Sequence, residues 1–257
     1  MTAIAPATTD RATGSTILDF RDVALTFPDG TTALSGVDLT VARGEFVSVV
    51  GPSGCGKSTL LRIASGLETA TQGVMTADTS RIGYVFQDAT LLPWRSVTAN
   101  VELLAELHGM SRADRKAKAR AAIELVGLTG FEKHLPRALS GGMRMRASLA
   151  RSLTLDPELF LFDEPFGALD EITRERLNDE LLRLYTDKQF GALFITHSVS
   201  EAVYISTKVV VMSGRPGRIV ASFDVPFPTP RDPDIRFTAE FAELVGAVSH
   251  ALRGDHS

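Results

Sequence analysis

Between residues 17 and 25 (Ile-Leu-Asp-Phe-Arg-Asp-Val-Ala-Leu) apolar side chains are interleaved with polar ones, as on a half-buried strand. Pro28-Asp29-Gly30 then signals a hairpin turn, residues 33–41 a second strand, and Ala42-Arg43-Gly44 another turn. An antiparallel β layer is expected to lead the chain. Residues 46–50 (Phe-Val-Ser-Val-Val) follow as a buried strand, and an apolar-periodic helix is expected from Thr59. Residues 73–75 and 81–86 read as further strands, the second ending at Gln87.

From residue 97 to 126 the period becomes helical, with Val101, Leu104, Ala105 and His108 expected on one face. Ser111-Arg112-Ala113-Asp114 resembles a capping box for the helix that follows it. This charged, Ala-rich stretch is expected to be a helical insertion over about residues 90–152. Strands and helices then alternate: a strand at 159–162, a helix through Leu177 and Leu184, a strand at 192–196, a short helix at 201–205 and a strand at 208–212. Such alternation predicts a parallel sheet. The fold class is therefore α/β, with an antiparallel β subdomain ahead of the core and a helical subdomain inserted into it. In the C-terminal segment, residues 214–253, a strand is expected at 218–225 and an extended Pro-rich connection at 226–233. Residues 234–253 read as an amphipathic helix carrying Phe237, Phe241, Leu244, Val245, Val248 and Leu252, expected to pack on its own domain.

Composition narrows the function classes. A length of 257 residues with 44% hydrophobic and 23% charged content suits one large globular domain. A net charge of −4 gives no general pull towards nucleic acid. The single cysteine, Cys55, excludes an intrachain disulfide. No stretch approaches the roughly 20 apolar residues of a membrane span. Residues 1–16, rich in Ala and Thr, read as a disordered tail rather than a signal peptide, and residues 17–257 as the folded domain.

The first chemistry lies at Gly51-Pro52-Ser53-Gly54-Cys55-Gly56-Lys57-Ser58, followed by Thr59. A first glycine, four free positions and then Gly-Lys-Ser, between a buried strand and a helix, is the phosphate-binding loop pattern. The glycines let successive N–H groups point at phosphate oxygens, and the helix start adds the positive end of its dipole. Lys57 can neutralise the outer phosphates, and the Ser58 hydroxyl can hold Mg²⁺. The core is thus expected to be a P-loop ATPase core that binds a nucleoside triphosphate. Cys55, inside the loop, is expected to be there because it is small.

A second cluster follows the apolar run at 159–162, which ends in Asp163 and Glu164. Carboxylates at a buried strand's end sit at the sheet edge where α/β folds bind ligands. The first acid can bind the Mg²⁺ of the nucleotide, and the second can act as general base towards water. Ser140-Gly141-Gly142 opens another helix, either as an ordinary N-cap or as a second anion site. Phe27 can pack in the core or stack on adenine.

In their order and spacing these motifs resemble the ATP-binding subunit of an ABC transporter, over nearly all of the chain after the tail. Residues 51–58 are similar to the Walker A loop, Gln87 to the Q-loop, residues 139–143 to the signature sequence and 159–163 to Walker B. Glu164 resembles the catalytic glutamate, Ala168-Leu169-Asp170 the D-loop and His197 the switch histidine. Phe27 stands where the family has its adenine-stacking aromatic. Met143 and Met145 depart from the Gln common in signature sequences, and Gly167 replaces a commoner Ser. The resemblance implies ATP and Mg²⁺ as cofactors, with Ser58, Gln87 and Asp163 at the metal. It also implies a homodimer with two ATP molecules sandwiched between Walker A of one copy and Ser140–Gly142 of the other.

Leu91-Leu92-Pro93-Trp94-Arg95-Ser96-Val97 falls where the family docks its membrane subunit, so Trp94 is either a docking contact or a buried loop anchor. The Leu-Pro-Trp-Arg wording and Gly214-Arg215-Pro216-Gly217-Arg218-Ile219 are similar to importers of nitrate, sulfonates, taurine and related small organic molecules. That group implies an integral-membrane permease, a separate solute-binding protein acting indirectly, and a peripheral position on the cytoplasmic face of the membrane. A soluble ABC-type ATPase acting on nucleic acid or ribosomes would call for tandem ATPase units or a long coiled coil, and for a basic surface. A P-loop kinase would leave Leu139–Gly142 and His197 without a role. The transported solute itself is not legible in these residues.

Overall fold

The computed structural model describes residues 15–254. The tail expected at 1–16 lies outside them except for its last two positions, and Thr16 already opens the first strand. Strands β1 (Thr16–Thr26) and β2 (Thr32–Ala42) form the expected antiparallel pair across the turn at Pro28-Asp29-Gly30. Strand β3 (Phe46–Val50) runs into helix α1 (Lys57–Ala64), which starts two residues earlier than its apolar period suggested. Strands β4 (Gln72–Ala77) and β5 (Ile82–Val85) follow. The helical stretch comprises α2 (Val97–Val101), α3 (Leu103–Leu107), α4 (Arg112–Leu125) and α5 (Gly141–Leu153). The remainder is β6 (Leu159–Asp163), α6 (Glu171–Lys188), β7 (Gly191–Ile195), α7 (Val199–Ile205), β8 (Lys208–Met212), β9 (Ile219–Asp224) and α8 (Ala239–Gly254).

Two sheets result. One is three-stranded and antiparallel, ordered β2-β1-β4; the other is six-stranded, ordered β5-β6-β7-β3-β8-β9, with only β9 antiparallel to its neighbour. The larger sheet is covered on both faces, which is why β3, β6 and β7 are apolar nearly throughout. Alternation along each strand sorts side chains between two cores. Phe46, Phe160, Phe162 and Phe194 face α6, α7 and α8, while Val47, Val49, Leu161, Leu193 and Ile195 face α1 and the antiparallel sheet. A third, smaller core of Val97, Val101, Ala119, Ile123, Leu139 and Ala147 holds the helical stretch together.

Three expectations change. The helical period at 97–126 is divided among α2, α3 and α4: Glu102 separates the first two, and Gly109 takes a left-handed φ of 72° before Ser111 caps α4. Val101 and Ala105 are buried, but His108 is exposed. The terminal helix is also interrupted. A 3₁₀ turn at Pro233–Phe237 ends at the extended Thr238, whose Oγ1 accepts from Phe241 N at 3.3 Å and starts α8 afresh. The break rotates Phe237 off the apolar face and leaves it 85% exposed, while Phe241 and Val248 are buried as expected. Lastly, Trp94 is 72% exposed, so burial does not account for it.

Candidate functional site

Because β6, β7 and β3 are adjacent and parallel, the loops leaving their C-terminal ends lie side by side. Those loops carry Asp163-Glu164, His197 and residues 51–58. Sheet topology therefore gathers on one edge three segments that lie up to about 150 positions apart in sequence.

The loop after β3 wraps tightly. Gly54 and Gly56 adopt φ of 75° and 102°, and a Cβ on Gly56 would come within 2.7 Å of Leu34 and 2.8 Å of the Ala33 carbonyl. Cys55 is buried, and a Cβ on Gly51 would meet its Sγ at 2.9 Å, so the size argument for Cys55 has a packing basis. Lys57 is 5% exposed, and its Nζ donates to the Gly51 and Pro52 carbonyls at 2.9 Å each. The ammonium is thus held across the loop that would cradle phosphate, with Pro52 half-buried and Ser53 exposed.

Ser58 Oγ donates to Asp163 Oδ1 at 2.9 Å, and Tyr84 OH donates to Asp163 Oδ2 at 3.5 Å. Burial raises the Asp163 carboxyl, the Ser58 hydrogen bond opposes that shift, and the adjacent Glu164 charge adds to it. Mg²⁺ is a hard cation that takes one or two protein oxygens and leaves its other positions to phosphates and water. A hydroxyl and a partly desolvated carboxylate in contact are a donor set of that kind.

Glu164 stands at a φ of 44°, with its N–H donating to the Ile195 carbonyl at 3.0 Å. Its Oε2 accepts from His197 Nδ1 at 2.9 Å, which places the imidazole proton on Nδ1. Gly167 faces this pair: a Cβ there would lie 3.4 Å from Glu164 Oε2 and 3.6 Å from His197 Cε1. A side chain at 167 would touch both residues without a clash.

The other candidates lie apart from this centre. Phe27 is half-buried at the end of β1, packed at the margin of the α1-side core with the 28–30 turn beyond it. Thr59 is on the first turn of α1. Gln87 is exposed just past β5 on the same sheet edge, and no hydrogen bond among the described residues joins it to Ser58 or Asp163. Ser140 caps α5, its Oγ accepting from Met143 N at 3.2 Å. Gly141 and Gly142 lie close under Leu169 and Thr173, where a Cβ would come to 3.0 Å in each case. Within one chain that terminus adjoins the Ala168-Leu169-Asp170 loop, and no hydrogen bond among the described residues ties it to residues 51–58. Met145 is buried in the aromatic core and Met143 packs on the helical one, so both replace Gln with apolar contact.

Sequence reading missed Tyr84, which steadies Asp163, and Arg215, whose Nε donates to the Gly54 carbonyl at 3.2 Å.

The sequence profile of the ABC transporter family matches residues 34–167. The taurine import ATP-binding protein of Yersinia pestis is 44% identical over 205 residues, covering 77% of this chain and 80% of that one. The aliphatic sulfonates import ATP-binding protein of Pseudomonas syringae is 46% identical over 203 residues, covering 79% and 84%. Among solved structures, a dimeric bacterial ABC transporter cassette superposes with a TM-score of 0.73 at 30% identity, covering 82% of this chain and 100% of that one. The same cassette as a dimer in a post-hydrolysis state with ADP and Pi gives 0.71 at the same identity and coverage.

Proposed function

The chain belongs to the ABC transporter family, and from that premise we propose that residues 51–59, Asp163, Glu164 and His197 form the hydrolytic centre of an importer's ATPase subunit. The observation that carries this is the pairing of two contacts on one sheet edge, Ser58 with Asp163 and Glu164 with His197, each at 2.9 Å. Nucleotide binding and ATP hydrolysis follow from the family; the division of labour among residues is our assignment.

Backbone amides of the Gly54–Gly56 turn and the start of α1 bind the phosphates, and Lys57 neutralises the outer ones. Ser58 and Asp163, joined by Gln87 from farther along the same sheet edge, would hold Mg²⁺, which would supply positive charge against the transferring phosphoryl group. His197 occupies Glu164 Oε2, and Oε1, which accepts no hydrogen bond among the described residues, takes the proton of the attacking water. Phe27 stacks on adenine. Ser140, Gly141 and Gly142 close over the γ-phosphate bound to a second copy, because within their own chain they face Leu169 and Thr173 instead.

The transported solute is a small nitrate-, sulfonate- or taurine-like or related organic molecule, and the two import relatives support the taurine and sulfonate members of that class. An integral-membrane permease docks at residues 91–97, where Trp94 is exposed, and a solute-binding protein delivers the cargo. No helix among the described residues is long and apolar enough to cross a membrane, in keeping with a peripheral subunit on the cytoplasmic face.

Steady-state ATPase assays with direct nucleotide-binding measurements test the assignment. Lys57→Ala is expected to weaken ATP binding. Glu164→Gln is expected to keep binding but lower kcat by about 10²–10⁴-fold, the usual contribution of a positioned base. Normal turnover in the Glu164 variant would remove that residue from the role. For the solute, cells lacking the chain are expected to lose uptake of labelled taurine or an alkanesulfonate, and undiminished uptake of both and of nitrate would exclude the class.

A further inference from the structure

Four residues past His197, Glu201 is 8% exposed at the head of the buried run Ala202-Val203-Tyr204-Ile205 of α7. It is tied in three directions. Thr196 Oγ1 donates to Glu201 Oε2, and Asn178 Nδ2, from the middle of α6, donates to Glu201 Oε1 at 3.1 Å. The Glu201 N–H donates to Ser198 Oγ at 3.3 Å, and the Ser198 N–H donates in turn to Thr196 Oγ1 at 3.0 Å. The residues on either side of His197 are therefore closed into a ring of hydrogen bonds completed by one buried carboxylate. That carboxylate also reaches α6, the helix capped by Asp170 at the end of the Ala168-Leu169-Asp170 loop.

Burial raises the Glu201 carboxyl; the Thr196 and Asn178 hydrogen bonds and the Arg174 and His197 charges oppose the shift. A purely apolar contact would hold α7 on the sheet without that desolvation cost, since Ala202, Val203 and Ile205 are already buried. What the carboxylate adds is direction. A loop with an exposed imidazole needs its backbone fixed on both sides for the 2.9 Å contact to Glu164 to persist.

We infer that Glu201 is a positioning residue for hydrolysis, locking the Thr196-His197-Ser198 turn to α6 so that His197 stays on Glu164. The inference rests on the role proposed above for His197. It requires no contact between Glu201 and nucleotide.

The test compares kcat, KM for ATP and melting temperature across purified variants, with His197→Ala as the reference. Glu201→Ala is expected to lower kcat about tenfold while KM stays within about twofold, because the phosphate loop is untouched. Glu201→Gln should recover most of the rate, its carbonyl accepting from Thr196 and its amide donating to Asn178 Oδ1, which has no hydrogen-bond partner among the described residues. Thr196→Val removes the same link from the other end and should give a similar loss. The Thr196→Val, Glu201→Ala double variant should be no more than about twofold slower than either single one. If Glu201→Ala does not fold, Thr196→Val carries the prediction of a roughly tenfold lower kcat and Glu201→Gln that of a near-parental one. Unchanged kcat in Glu201→Ala or Thr196→Val, parallel changes of kcat and KM, or multiplicative losses in the double variant would overturn the inference. Full activity in His197→Ala would instead remove its premise.

Discussion

Glu164 sits at a φ of 44°, a region that costs a non-glycine residue roughly 1–2 kcal/mol, and its neighbour in sequence is a second, partly buried carboxylate. Stability alone would not select it. Glu164→Gly should therefore leave the nucleotide-free protein as stable as the parent or about 1 kcal/mol more so, while hydrolysis falls at least a hundredfold. A thermal melt beside an ATPase assay checks this, and a strongly lowered melting temperature would contradict it. Glu201 gives a parallel case with a pH signature. Its folded-state carboxyl is raised, so the folded chain holds the proton more tightly than the unfolded chain does. Its contribution is complete below the ordinary carboxylate range and is lost as pH rises through the folded value. The melting temperature of Glu201→Gln relative to the parent should accordingly increase as pH climbs above about 4.5. A difference that is flat with pH would argue against a raised carboxyl. Residue chemistry was legible where partners are close in sequence or carry a fixed spacing, as with residues 51–59 and Asp163-Glu164. Tyr84 and Arg215 were not, because they meet their partners across 79 and 161 positions, and no local pattern announces such pairs.

At the scale of elements, the site is a product of strand order. β6, β7 and β3 were readable as buried strands from their apolar runs, and their being neighbours is what brings His197 to Glu164. The helical boundaries were less legible. The start of α4 at Ser111 was legible from its capping box. The division at Glu102 and the fresh start at Thr238 were not, since a single apolar period runs through 97–126 and another through 234–253. Capping groups of this kind compete with helix continuation without disturbing the hydrophobic pattern. The C-terminal segment nevertheless braces the elements behind the site. Arg231, 8% exposed, donates to the carbonyls of Val203, Tyr204 and Ser206 at the end of α7. Arg236 lies 3.3 Å over the Tyr204 ring and pairs with Asp179 of α6 at 2.7 Å. Arg231→Ala should destabilise the fold by roughly 2–4 kcal/mol, since buried carbonyls lose their donors. Denaturant unfolding measures that loss, and parental stability would show that the helix end does not depend on this side chain.

For the whole molecule, the decisive feature is that the two helix starts proposed to bind phosphate do not face the same place within one chain. α1 opens on Asp163, and α5 opens beside Leu169 and Thr173. In the proposed head-to-tail pair, α1 of each copy meets α5 of the other; the solved cassettes similar to this chain are dimers. Each helix terminus contributes at most about 2 kcal/mol towards an anion. Two such contributions, about 4 kcal/mol, strengthen association roughly a thousandfold when nucleotide is bound. Joining should thus need ATP in place and reverse once it is cleaved. Sedimentation of the Glu164→Gln variant, with and without ATP and Mg²⁺, tests this most directly. The account predicts monomer without nucleotide and dimer with it, the dimer being lost on adding Ser140→Arg; a monomer under both conditions, or a dimer indifferent to ATP, would contradict it.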